Sequence, residues 1–122
     1  MQIGVSMKEL VIIIRPEKLE IVKAIIDDKK LGGMTISSVM GCGTQRGVSE
    51  DFTNEIKGFK TTINLLPKIK VEVVVTDDIV EELILEIEEK VRTNHVGDGK
   101  IFIRTIEDAI RIRTGERGDK VL

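Results

Sequence analysis

Two stretches of this chain, Val11-Ile12-Ile13-Ile14 and Val73-Val74-Val75, are apolar at every position. Successive side chains of a β-strand point to opposite faces of its sheet. A strand built from either stretch is therefore apolar on both sides and needs cover on both. β-Branched residues are abundant elsewhere too: 32 of the 122 residues are Ile or Val, which suits pleated, half-buried surfaces. Aromatic residues are scarce, with three Phe, no Trp and no Tyr. The core is thus aliphatic and sheet-rich, and the chain lacks the aromatic platforms on which single-stranded nucleic acids stack.

Helical patterns alternate with these strands. Residues 8–14 read as a first strand. Pro16 suits the first turn of a helix. Leu19, Ile21, Val22, Ile25 and Ile26 then recur at helical spacing as far as Gly32-Gly33, expected to close that helix. A second strand covers 34–40. Residues 43–64 are polar and too long for an ordinary connection, so they are expected to form an exposed functional loop. Beyond it, Ile69, Val71, Val73 and Val75 share one face of a third strand. Asp77 and Asp78 favour a helix N-terminus, and Val80, Leu83, Ile84, Ile87 and Val91 supply that helix's apolar stripe. A loop at 93–100 leads into a strand at 101–104, then a short segment at 107–110 and an extended piece at 110–114.

Strand-helix-strand, loop, strand-helix-strand predicts an α+β fold, a ferredoxin-like split βαβ sandwich (βαββαβ). Its two helices cover one sheet face, and an identical subunit is the simplest cover for the other. Residues 1–122 read as one domain, with 1–7 as an N-terminal extension ahead of the fold.

Charge and composition narrow the function. Lys and Arg number 19 against 21 Asp and Glu, a net charge of −2, so a nucleic-acid binder held by phosphate contacts is not expected. The longest apolar run, 10–14, is far too short to span a membrane. No basic segment followed by an apolar stretch opens the chain, so a secretory leader is not expected. A lone cysteine, Cys42, excludes an intrachain disulfide framework and suits a reducing cytoplasm. With a single His95 as well, little remains for a structural zinc site.

Three clusters could carry chemistry. Gly41-Cys42-Gly43-Thr44-Gln45-Arg46-Gly47 leaves a strand as a dinucleotide fingerprint would. Its spacing is G-x-G-x-x-x-G, however, and no helix pattern follows, so it reads either as a hinge or as a site of another kind. Gly97-Asp98-Gly99-Lys100 reads either as a tight turn or as an anion cradle, since glycines admit close backbone approach and Lys100 adds charge. In an extended 110–114 segment, Arg111 and Arg113 would share one face about 6.5 Å apart. Two parallel guanidiniums suit a polyphosphate; charged edge residues also block aggregation. Lys68 and Lys70 share a strand face with Glu72, a pattern that fits a surface ion-pair ladder. Cys42 has no nearby base, and no paired carboxylates or metal-ligand cluster appear, so no catalytic residue is assigned.

These residues carry a specific likeness. Gly33-Met34-Thr35, the Gln45 cluster, Leu66-Pro67-Lys68-Ile69-Lys70, Val96-Gly97-Asp98-Gly99-Lys100-Ile101-Phe102 and Arg111-Ile112-Arg113-Thr114-Gly115-Glu116 stand in the order found in the PII family of nitrogen-regulatory signal transduction proteins. From residue 8 to 122 the chain resembles that family. The resemblance implies a homotrimer with three nucleotide sites in the clefts between subunits. ATP and ADP compete there, and 2-oxoglutarate binds beside ATP through Mg²⁺. The long loop would dock on an ammonium transporter or on a nitrogen-metabolism enzyme such as glutamine synthetase or the nitrogenase system. The protein would be cytoplasmic, reaching a membrane only through the transporter.

Carried over by motif, Gly97, Asp98, Gly99 and Lys100 match the phosphate-contacting loop. Arg111 and Arg113 match arginines offered by the neighbouring subunit. Gly41, Gly43, Gln45 and Arg46 match the base of the long loop. Ile13, Met34, Thr35 and Val74 fall at positions lining the nucleotide pocket, with Thr93 near it. Gln45 matches the amide that coordinates Mg²⁺, and Lys68 the lysine facing a 2-oxoglutarate carboxylate, with Arg46 and Gly97 beside them. Thr44 stands where many members carry Arg, and Asn94-His95 replaces the usual Gly and charged residue. The long loop has no tyrosine for nucleotidylation. Other readings are a PII-like sensor of a different small ligand, a nitrogenase-associated regulator, or a small nucleotide-hydrolysing enzyme.

Overall fold

The computed structural model describes the backbone of residues 5–44, 53–56 and 59–122, and the side chains among these that lie outside 43–64. Strand β1 spans Met7–Ile14, helix α1 Leu19–Asp28, β2 Met34–Thr44, β3 Thr53–Ile56, β4 Phe59–Thr76, α2 Val80–Val91 and β5 Gly99–Ile106. The main sheet runs β2-β4-β1-β5 with antiparallel neighbours, and β3 pairs with β4. Two interleaved units, β1-α1-β2 and β4-α2-β5, thus build the ferredoxin-like sandwich expected from the pattern.

One face of the sheet meets both helices. Leu10, Ile12 and Ile14 of β1 and Val71, Val73 and Val75 of β4 pack there against Val22, Ile25 and Ile26 of α1 and Val80, Leu83, Ile87 and Val91 of α2. The opposite face is mixed. In register around β1, Val11 lies between Glu72 and Phe102, Ile13 between Lys70 and Lys100, and Glu9 between Val74 and Arg104. Val11 is buried while Phe102 is about half exposed, and the ion pairs Arg104–Glu9 (3.7 Å) and Lys70–Glu72 (3.8 Å) cross this face.

Four local outcomes differ from the sequence reading. Met7, placed in the N-terminal extension, is the first residue of β1 and is buried. Ser6 before it accepts the Asp77 N–H through its carbonyl at 2.8 Å. Helix α1 ends before Gly32-Gly33, because Lys30 takes the left-handed conformation (φ 54°). Lys30 N–H bonds to Asp27 O (3.0 Å) and Leu31 N–H to Ile26 O (3.4 Å), the paired closure that a glycine usually supplies.

The segment 43–64, read as a loop, carries strand in every part that is described: the end of β2, all of β3 and the start of β4. Backbone pairing explains this, since the β2–β4 register continues past Gly41↔Leu66 to Thr44↔Ile63. Pro67 is tolerated inside β4 because β1 has already ended at Ile14↔Ile69. Finally, 110–114 is a turn rather than a strand. Arg111 N–H bonds to Glu116 O (2.9 Å) and Gly115 N–H to Arg111 O (2.7 Å), with Gly115 at φ 74°. The bridge Ile110↔Arg117 and the Arg117–Asp108 ion pair (2.8 Å) close the hairpin.

The helices are tied together by charge. Lys29 reaches Glu82 (2.8 Å) and Glu86 (3.0 Å), and Lys90 reaches Glu86 (2.8 Å). Hydrogen bonds from Lys90 and then Lys29 hold the Glu86 carboxyl below its ordinary value. A carboxylate lowered in the folded state stabilises the fold at neutral pH, and that contribution is lost as pH falls through the glutamate range. Glu86→Gln should therefore be less stable than the parent at pH 7. The gap should narrow progressively toward acid, as read by urea unfolding at a series of pH values. A gap independent of pH would show that the charge is not what links the helices. Among the described residues no helix is long and apolar enough to cross a membrane.

Candidate functional site

The open sheet face carries a cavity at each end. One, of about 650 Å³, is lined by Ile13, Gly41, Lys68, Gly97, Asp98, Gly99 and Lys100, together with Cys42, Leu66, His95 and Phe102. Strand register explains the gathering. Ile13 sits opposite Lys70 and Lys100, and Gly41 opposite Leu66, while the α2–β5 loop closes the end. The second cavity, of about 290 Å³, is lined by Thr35 and Val74 with Glu9, Gly33, Glu72 and Leu122 among others. Along β4 the two are separated by the four steps from Lys68 to Glu72, about 13 Å at the rise of an antiparallel strand.

The glycine loop depends on its glycines. Gly99 has φ 113°, and a Cβ there would overlap the carbonyl oxygen of Ile13. Gly97 has φ 97° and lies against two cations: a Cβ would stand 3.1 Å from Arg15 Nη2 and 3.6 Å from Lys68 Nζ. Lys68 Nζ donates to Gly97 O at 2.5 Å. Asp98 faces inward along the loop instead of outward to a ligand. It accepts from the Thr93 hydroxyl, from Thr93 N–H (2.7 Å) and from Asn94 N–H (3.0 Å). Arg15 Nε approaches to 3.5 Å. The Thr93 hydroxyl and N–H, aided by Asn94 and Arg15, pull the Asp98 carboxyl down to about 2. Asp98 stays ionised at neutral pH and is already satisfied, so it shapes the loop.

The remaining expected site residues fall elsewhere. Met34 packs against the hydrophobic core, on the sheet face opposite the cavities. Gly43 pairs with Asn64 in the β2–β4 ladder. Gln45 and Arg46 lie outside the described residues. Arg111 and Arg113 line neither cavity. Arg111 holds Glu116 at 2.9 Å, and Arg113 is exposed in the turn. Sequence reading passed over Arg15, although a cation at the first position beyond an apolar strand was the available signal. Leu66 and Phe102 join the site only through cross-strand register, which pattern alone does not reveal.

Among the described residues Lys68 and Lys100, which both line the first cavity, have no carboxylate within ion-pair distance, so that cavity has a cationic end. Among these residues no group of three His, Cys, Asp or Glu is placed to hold a metal. Cys42 is exposed, and among the described residues no base bonds to it.

Fold and site together define a ferredoxin-like sandwich with a cavity lined by two lysines and a glycine loop. Residues 7–116 match the family model for nitrogen regulatory protein P-II. Nitrogen regulatory protein P-II 2 of Methanothermobacter thermautotrophicus is 44% identical over 118 residues, covering 97% of this chain and 99% of that protein. The B. subtilis GlnK–ATP complex superposes with a TM-score of 0.77 at 31% identity, covering 96% of this chain and 98% of that one. Arabidopsis thaliana PII bound to citrate gives 0.73 at 35% identity, with 95% and 92% covered. The chain belongs to the P-II family of nitrogen regulatory proteins. Its relatives are named as regulators, and it is a regulatory protein, not an enzyme.

Proposed function

We infer that this chain is a homotrimeric sensor whose inter-subunit clefts bind ATP or ADP, with Mg-dependent 2-oxoglutarate beside ATP. One observation carries the reading. The Lys68–Lys100 cavity and the Thr35–Val74 cavity lie at opposite ends of one sheet face, and Arg111 and Arg113 lie in neither. A nucleotide presents a flat base, a sugar and a polyphosphate. Placing the second cavity and the arginines of one copy against the first cavity of its neighbour would offer all of these at once. The mixed open face, with Val11 between Glu72 and Phe102 and with Ile13, Val74 and Phe102 lining the cavities, supplies the apolar contact for such packing.

In this reading Lys100 and the Gly97–Gly99 backbone meet the phosphates, and Arg111 and Arg113 reach them from the adjacent copy. Thr35 and Val74 line the base-binding half, with Ile13 at the phosphate end. Lys68, anchored on Gly97 O, has two N–H donors left for a carboxylate. The relatives support this assignment of ligands: a GlnK has been solved with ATP and a plant PII with citrate, a carboxylate. Asp98 is fully engaged within its loop, so Mg²⁺ would rely on ligand oxygens and on Gln45, as a hard cation with few protein ligands does. The 43–64 segment, with Gln45 and Arg46 at its root, would contact an ammonium transporter or a nitrogen-metabolism enzyme from the cytoplasmic side.

Calorimetry tests the ligand set. ATP and ADP should compete for one class of site, and 2-oxoglutarate should give heat only on protein saturated with Mg-ATP. Saturated protein that shows no heat with millimolar 2-oxoglutarate would remove that ligand and leave a sensor of nucleotides alone.

A further inference from the structure

The geometry points to Arg15 as the positioning residue of the glycine loop: its guanidinium, fixed at the end of β1, holds residues 93–98 in the shape that presents Gly97 to Lys100 to an anion. The loop has no apolar anchor of its own. None of residues 93–98 is buried, and Val96 is 86% exposed. Its shape must therefore come from polar interactions, and three reach it.

Lys68 holds Gly97 O from β4. Asp98 folds the loop back onto Thr93 and Asn94. Arg15, the residue just beyond β1, supplies the third interaction. Its Nη2 donates to Val96 O at 2.7 Å across 81 positions of sequence, and its Nε faces Asp98 Oδ1 at 3.5 Å. The same guanidinium flanks Gly97, which leaves room for it by having no side chain. A planar fork offers its donors in a fixed geometry toward a carbonyl and a carboxylate, whereas the ammonium of lysine is a compact point charge on a flexible stem. Arg15 Nε is buried and, among the described residues, has no hydrogen-bond partner, with Asp98 Oδ1 at 3.5 Å. A buried donor left unpaired is costly.

The ligand arm of this inference rests on the nucleotide reading above; the loop arm does not. The test compares the full-length protein with Arg15→Ala and Arg15→Lys. Amide hydrogen exchange of the free protein reads the loop, and calorimetry with ATP and with ADP reads binding. In Arg15→Ala, exchange over 93–98 should rise about tenfold or more while β1 and β4 amides stay protected. ATP and ADP should weaken alike, each by about tenfold. Arg15→Lys keeps a donor for Val96 O and should recover part of both effects.

Unchanged loop exchange in Arg15→Ala overturns the inference whatever happens to the ligands. Weaker ATP binding with unchanged exchange would mean that Arg15 touches the ligand directly, and it overturns the inference as well. Should the parent protein bind neither nucleotide, the nucleotide reading fails while loop exchange still decides the role of Arg15. If Arg15→Ala does not fold, the Arg15→Lys exchange pattern decides: protection equal to the parent's over 93–98 sinks the proposal.

Discussion

Gly99→Ala is expected to lower the melting temperature by roughly 10–15 °C and to abolish nucleotide binding, from a destabilisation of about 3 kcal/mol in a domain of this size. Two effects combine at this position. Its φ of 113° is one that L residues rarely adopt, and the new methyl would overlap the carbonyl of Ile13. That carbonyl is backbone, in a register where Ile13 sits beside Lys100 and Ile14 beside Gly99. No rotamer change can relieve the clash, so β1 and β5 must separate at the end where the cavity forms. Differential scanning calorimetry at fixed protein concentration reads the effect. A shift of only a degree or two would mean that the loop relaxes freely and that its conformation is not what demands glycine.

Joint replacement of Arg111 and Arg113 by Ala should weaken ATP binding by about 10²- to 10⁴-fold, since each charge-assisted hydrogen bond is worth roughly 1.5–3 kcal/mol. Assembly should survive. Both side chains project from a hairpin held by backbone bonds between Arg111 and Glu116 and by the Arg117–Asp108 pair, neither of which needs the two arginine side chains. Within the folded chain the double replacement breaks the Arg111–Glu116 ion pair, which is half-exposed and adds little to stability. ATP affinity equal to the parent's, in a variant of unchanged mass by light scattering, would remove the arginines from the site.

The fold was largely legible because its strongest signals are periodic. The stripe Val80, Leu83, Ile87 and Val91 and the alternation Val71, Val73 and Val75 each bury one face of their element, and their order implies the sandwich. Legibility ended where local chemistry is outvoted by pairing. Residues 59–64 look polar, yet they extend β4 because β2 and β3 offer partners. Residues 110–114 alternate like a strand, but among the described residues a single bridge holds them, and Gly115 turns the chain. Lys30 closes α1 in a conformation that lysine seldom takes, while two glycines wait just beyond.

The site divides in the same way. Motif order brought Gly97, Gly99, Lys68 and Lys100 to one cavity and Thr35 with Val74 to another. Residue identity did not reveal that Asp98 turns inward to Thr93 and Asn94. Nor did it reveal that Met34 points into the core, because strand parity decides that orientation.

Mixing two kinds of chain in one trimer separates a cleft shared between subunits from a site within one chain. Two versions of the chain would be coexpressed with different tags: one with Lys100→Ala, the other with Arg111→Ala and Arg113→Ala. Each alone should bind ATP weakly, because every cleft lacks one of its halves. In assemblies purified through both tags, one cleft per trimer joins an intact lysine cavity to intact arginines. Calorimetry should then find ATP binding of parental affinity at one site per mixed trimer. Mixed assemblies that bind ATP no better than either parent variant would contradict the account, because both sets of residues would then belong to a site within a single chain.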